Sequence, residues 1–157
     1  MIYNYYSYKM KKKVCIVVDH PDRDLDGILY LINILKQDNF TYFLVPFYNF
    51  REIYLIKPHV VILNHSRWIY SNLIKILHSL GITILVQDTE GGMVTTHLIK
   101  EYISYNDLEN NLKYIKAYLI WSKKIKIELT KYLKNANPSK LIVHGNPRFN
   151  LMKELRS

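Results

Sequence analysis

Ile82-Thr-Ile-Leu-Val-Gln-Asp-Thr-Glu-Gly-Gly92 is the stretch around which the chain organises. Its first five residues, aliphatic and β-branched, have the character of a strand buried on both faces of a parallel sheet. The polar run Gln87-Asp-Thr-Glu90 and the pair Gly91-Gly92 then end the strand in a loop. In open α/β sheets ligands bind beyond the carboxyl ends of the strands, so this loop belongs to the functional edge. Glycines let a ligand approach the backbone. Asp88 and Glu90 can accept hydrogen bonds from sugar hydroxyls or act as a general base. The alternative for an isolated Glu-Gly-Gly string is a plain polar turn.

Outward from this loop, similar units recur. Strands are expected at 13–18, 41–45, 59–63, 82–86, 117–121 and 140–143. The first two helices are expected at about 24–38 and 49–56, and the third at about 68–80. After 92 the pattern weakens, with a helical turn in 93–105, a helix over 107–116 and another from Ser122 to about Leu133. Asp24 is the expected cap of the first helix, whose apolar face would be Leu25, Ile28, Leu29, Ile32 and Leu35. The third would bury Ile69, Leu73, Ile76, Leu77 and Leu80. Regular alternation predicts an α/β fold: a doubly wound, mainly parallel Rossmann-like sheet with helices on both faces. Residues 1–12 read as a poorly ordered leader with Met10 as the expected functional start, 13–149 as the domain, and 150–157 as the start of a crossover.

A chain of 157 residues, 49% hydrophobic, is one globular domain's worth. The apolar runs are strand-length, and the tyrosine-rich start lacks a signal-peptide core. The single Cys15 reads as a small core residue rather than a nucleophile, and the cytoplasm is the expected compartment. The formal net charge is +9, but the lysines are scattered and no nucleic-acid motif is present, so no nucleic-acid partner is expected. Peripheral contact with an anionic membrane is the use this charge suggests.

Other strand ends carry chemistry too. Asp19-His-Pro-Asp-Arg-Asp24 joins carboxylates, His20 and the Arg23 fork at a helix start; its alternative is a capped turn with a surface ion pair. Asn64-His65 holds the equivalent place after the third strand. Neither a dinucleotide-binding glycine motif nor a phosphate-binding P-loop is present, and the histidine spacing fits no metal motif. A response-regulator receiver would need an aspartate where Asn64 stands. In His144-Gly-Asn-Pro-Arg-Phe149, Gly145 and Pro147 fix a sharp turn and Arg148 can pair with an anion.

On Asp88-Thr-Glu-Gly-Gly92 and Gly145-Asn-Pro-Arg-Phe149, with Pro21-Asp-Arg-Asp-Leu25 and Pro58-His-Val-Val-Ile-Leu-Asn64 beside them, the chain resembles the amino-terminal half of bacterial surface polysaccharide biosynthesis proteins, which are similar to GT-B glycosyltransferases. The resemblance spans roughly residues 13–152. The family's acidic residue after the glycine-proline string is replaced by Asn150.

The resemblance implies an acceptor-side domain, not active alone, whose donor-binding half lies on another segment or chain, through truncation, a split enzyme or a fragment. It implies Glu90, Asp88 and His20 as catalytic candidates, and Asp19, Arg23, Asn64, His65, Gly91, Gly92, Asn146 and Arg148 as substrate-binding ones. No resident cofactor or metal is expected; a nucleotide-sugar donor is implied for a full-length member. The expected partners are a carbohydrate or lipid-linked acceptor and a second α/β chain or a homodimer. A non-catalytic binding module is the other expectation.

Overall fold

The computed structural model describes residues 11–35, 39–89 and 94–155. Six strands form one sheet: β1 (Lys12–Val18), β2 (Phe40–Pro46), β3 (Val60–Leu63), β4 (Thr83–Gln87), β5 (Ala117–Ile120) and β6 (Leu141–Val143). Every pair is parallel and the spatial order is β2-β1-β3-β4-β5-β6. The expected α/β sheet is present. The direction in which successive strands are added reverses between β1 and β3, the position at which doubly wound sheets open a crevice.

Among the described residues seven α-helices accompany the strands: α1 (Pro21–Ile34), α2 (Arg51–Ile56), α3 (Ser71–Ser79), α4 (Ile99–Tyr105), α5 (Leu108–Asn111), α6 (Lys123–Tyr132) and α7 (Pro147–Glu154), the last following β6. Alternation along β1 divides the core. Cys15 and Val17 face a large cluster that includes Ile53 of α2, Ile74 of α3 and Leu129 of α6. Val14, Ile16 and Val18 face a smaller cluster under Ile28 of α1. Cys15 has no exposed surface, and burial pushes its thiol up to about 11, so it is an inert core group. Among the described residues no helix is long and apolar enough to cross a membrane.

Several helices differ from the periodicity-based expectation. α1 begins at Pro21 with His20, not Asp24, in the cap position. Asp24 lies within the first turn, where its carboxylate accepts from the His20 N–H at 3.2 Å. The buried face of α1 is Asp24, Gly27 and Ile28, whereas Leu29 and Leu35 are exposed. The rotation follows from packing against α7. A Cβ built on Gly27 would stand 3.0 Å from the Arg148 nitrogen and 3.2 Å from its Cα. A larger residue would fit there only if α7 gave way by a few tenths of an ångström.

A 3₁₀ turn over Trp68–Tyr70 precedes α3, and the buried residues are Tyr70, Leu73, Ile74 and Leu77. Ile69, Ile76 and Leu80 are exposed, because the aromatic ring of Tyr70 anchors the segment one residue away from the expected stripe. The expected helix at 107–116 shrinks to α5, which follows Asp107 in a left-handed conformation at φ 46° and gives way to a turn at 112–114. At the carboxyl end, α7 is one helix that packs on α1 and spans position 149.

Gly27→Ala should therefore push α7 off α1. We expect a loss of about 1–3 kcal/mol in urea unfolding, with tryptophan fluorescence altered through the Trp121–Phe149 contact.

Candidate functional site

The residues beyond β1, β3 and β4 and the start of α7 meet at the carboxyl edge of the sheet. Arg23 ties them together. Its Nε donates to Asp24 Oδ1 at 2.7 Å and its Nη2 to Asp24 Oδ2 at 2.9 Å. Nη2 also reaches Asp19 Oδ2 and Thr89 Oγ1, each at 3.4 Å. The fork is thus bidentate on one carboxylate and spans the ends of β1 and β4. Gly145, at φ +81°, turns the chain after β6, and the Asn146 side chain caps α7 by accepting from the Arg148 N–H at 2.9 Å.

Between these elements lies a small cavity of about 50 Å³, lined in part by Arg23, Asn64, Gln87, Thr89, Asn146 and Arg148. Asn64 is 3% exposed, and among the described residues neither of its side-chain amide atoms has a hydrogen-bond partner. Its backbone is held, since its carbonyl accepts from the Thr89 N–H at 3.2 Å. A buried amide without partners costs about 1–3 kcal/mol. It is a neutral donor and acceptor in one group, suited to a hydroxyl or an amide of a ligand.

The neighbouring residues point the other way, because successive side chains alternate across a sheet. His65 is 3% exposed and stacks on Tyr70 with ring centroids 4.6 Å apart. Burial first, then the charges of Arg67 and Arg23, push its imidazole down to about 3. It is neutral at physiological pH, and both ring nitrogens lack partners among the described residues. Asp88 is buried as well. Its carboxylate accepts from the Tyr102 hydroxyl, which lies 2.9 Å from that of Tyr118. Its carbonyl accepts from the Trp121 indole N–H at 2.5 Å. Burial raises both tyrosines well above their ordinary range, and the Asp88 charge adds to it. Both hydroxyls remain protonated; that of Tyr102 holds the carboxylate and is itself held by that of Tyr118.

The structure thus brings Arg23, Asn64, Asn146 and Arg148 around one cavity, with Asp19 attached through Arg23. His65 and Asp88 stand on the opposite side of the sheet edge, and His20 is exposed at the start of α1. Glu90, Gly91 and Gly92 lie outside the described residues. Asp24, Thr89, Trp121 and Tyr102 have places in the site that the sequence pattern did not assign. Thr89 and Trp121 sit at strand ends, a usable signal; Tyr102 lies in the weakly patterned segment after 92. Among the described residues no three His, Cys, Asp or Glu side chains are grouped to hold a metal ion.

No family model matches the chain, and no curated protein matches it. Solved structures do. The UDP-GlcNAc 2-epimerase from Neisseria meningitidis bound to UDP-GlcNAc superposes with a TM-score of 0.60 at 11% identity, over 92% of this chain and 50% of that one. A putative UDP-N-acetylglucosamine 2-epimerase from Listeria monocytogenes gives 0.62 at 13%, over 91% and 47%. The Rickettsia bellii UDP-N-acetylglucosamine 2-epimerase gives 0.58 at 12%, over 94% and 48%. The fold is that of half a GT-B-like structure. At these identities the likeness concerns fold alone, and the chain spans about half the length of the structures it matches.

His65 predicts a pH dependence. Its folded pKa lies below the ordinary 6.5, so the unfolded chain takes up a proton that the folded one refuses until about pH 3. This contribution to stability is intact above pH 6.5 and declines as pH falls, by at most about 1.4 kcal/mol per pH unit. Urea unfolding between pH 7 and pH 4 should show this slope in the native chain. It should be shallower in His65→Phe, which keeps a ring against Tyr70.

Proposed function

We propose that the chain is the acceptor-side domain of a glycosyltransferase-like protein in bacterial surface polysaccharide biosynthesis, working with a second α/β unit that binds the nucleotide-sugar donor. The observation that carries this is the partnerless, buried amide of Asn64 in a cavity at the β1/β3 reversal. A neutral amide beside an already neutralised arginine suits an uncharged, hydroxyl-rich ring better than a bare phosphate. The likeness to half of UDP-GlcNAc 2-epimerase structures supports a carbohydrate setting.

In this proposal Asn64 and Asn146 hold sugar hydroxyls. Arg23 and Asp19 form the wall of the cleft, and Arg148 meets the donor phosphates supplied with the second unit. Glu90 is the proposed base, with Gly91 and Gly92 allowing close approach, and His20 stands at the rim. Asp88 is proposed to stiffen the loop through Tyr102 rather than to touch the sugar. A non-catalytic binding module is the second reading. It is favoured by the pairing of the described charged groups: Arg23 is matched by Asp24 and Asp19, and Asp88 is held by Tyr102.

Titration of the chain with N-acetylglucosamine, followed by amide chemical shifts, tests the site. Saturable binding, weakened about tenfold or more in Asn64→Ala, is the expected result. Binding of UDP without any response to the sugar would overturn the acceptor assignment. With the second unit supplied, Glu90→Gln should lower the transfer rate by about a hundredfold or more. Unchanged transfer would remove Glu90 as base, and sugar binding with no transfer by any supplied unit would favour the binding module.

A further inference from the structure

The cavity beside Asn64 is small enough for its size to select a ligand group. Its volume is about 50 Å³. A water-sized group needs roughly 10–15 Å³ of such space, so the cavity takes about three to five non-hydrogen atoms. A sugar ring with its substituents is larger than that. It must stay at the mouth and send one substituent inward.

The walls narrow the choice. Ile16, Ile28 and Ile62 supply an apolar side, the first two as members of the small core cluster under α1 and the third packed against it. Asn64 supplies the polar side, buried, with Nδ2 and Oδ1 both without partners among the described residues. Charge stands elsewhere: Arg23 is bidentate on Asp24, and Arg148 is exposed at the start of α7. An anion drawn into the cavity would meet a neutral amide, and its lost hydration would go uncompensated. A hydroxymethyl group brings two non-hydrogen atoms and leaves most of the apolar side without contacts. An acetamido group brings four, with a methyl at one end and a carbonyl oxygen beside it.

We propose that the Asn64 cavity is a pocket for an N-acetyl group. The sugar that carries this group rests on the acceptor reading above, and the pocket narrows that reading to N-acylated amino sugars. The methyl lies against Ile16, Ile28 and Ile62. A trans secondary amide carries its carbonyl and its N–H on opposite edges, so one asparagine side chain cannot take both. Asn64 Nδ2 donates to the acyl carbonyl, and Oδ1 accepts from a ring hydroxyl beside it. Both amide atoms then have partners, and the apolar side meets an apolar group.

The test follows the backbone amide shifts of Ile62, Asn64, Gln87 and Thr89, which line the cavity, during titration with four ligands: N-acetylglucosamine, N-butyrylglucosamine, glucose and N-methylacetamide. N-acetylglucosamine should bind about tenfold or more tighter than glucose, which leaves the Asn64 amide incompletely paired. The butyryl sugar, two carbons too long, should bind about tenfold or more weaker than the acetyl one. N-methylacetamide should shift the same residues at higher concentration. Asn64→Leu removes both polar atoms at similar size, so it should unfold at higher urea than the native chain and lose the preference for the acetyl sugar. Equal binding of glucose and N-acetylglucosamine, or an acetyl preference kept in full by Asn64→Leu, would overturn the pocket and leave the carbohydrate reading standing. Equal binding of the butyryl and acetyl sugars would likewise overturn it. Shifts from N-methylacetamide with none from any sugar would support the pocket and overturn the acceptor reading. No response to either N-methylacetamide or N-acetylglucosamine would overturn both.

Discussion

The approach of the α7 backbone to Gly27 is the contact on which the rest of the carboxyl edge depends. With no side chain at that point, the Arg148 nitrogen and Cα can lie directly on α1. That position brings the capped start of α7 over the ends of β1 and β3 and sets Phe149 edge-on to Trp121 at 5.2 Å. Trp121 in turn donates to the carbonyl of Asp88, so the tail of β4 is held from the same side. A side chain at Gly27 would act on the cavity wall, the α7 cap and the β4 loop together.

Charge at this edge is balanced internally. Arg23 bridges two carboxylates and a threonine hydroxyl, and Asp88 is enclosed by tyrosines. The buried side-chain groups without partners among the described residues are neutral: the amide of Asn64, the imidazole of His65, the hydroxyl of Tyr70 and the amide oxygen of Asn111. Partnerless polar groups are costly in a protein interior. The concentration of the first three beyond one short strand, while charged neighbours are matched, marks a place shaped for polar, uncharged company.

The sheet was legible in the sequence because its strands are continuous aliphatic runs of strand length, each closed by a polar break. The positions of Arg23, Asn64, Asn146 and Arg148 followed from those breaks. The inward faces of α1 and α3 were not legible. Each has enough apolar residues for more than one stripe, and the choice is made by distant packing: Gly27 under α7, and Tyr70 between Phe47 and Phe50. Asp24 was misread as a cap because Pro21 starts the helix a turn earlier. The Asp88–Tyr102–Tyr118 group joins residues 14 and 16 positions apart along the hydroxyl chain. No local pattern announces such a contact.

The opposite orientations of Asn64 and His65 turn the sheet edge into a partition between two chambers. A single-residue insertion or deletion in β3 would exchange them, sending the imidazole among the arginines and the amide among the tyrosines. A change of two residues would keep each on its own side. Length variation among descendants of this sequence should therefore move in even steps within β3, while the segment joining α3 to β4 carries no such parity. Substitutions, by contrast, can reshape one chamber while leaving the other as it was.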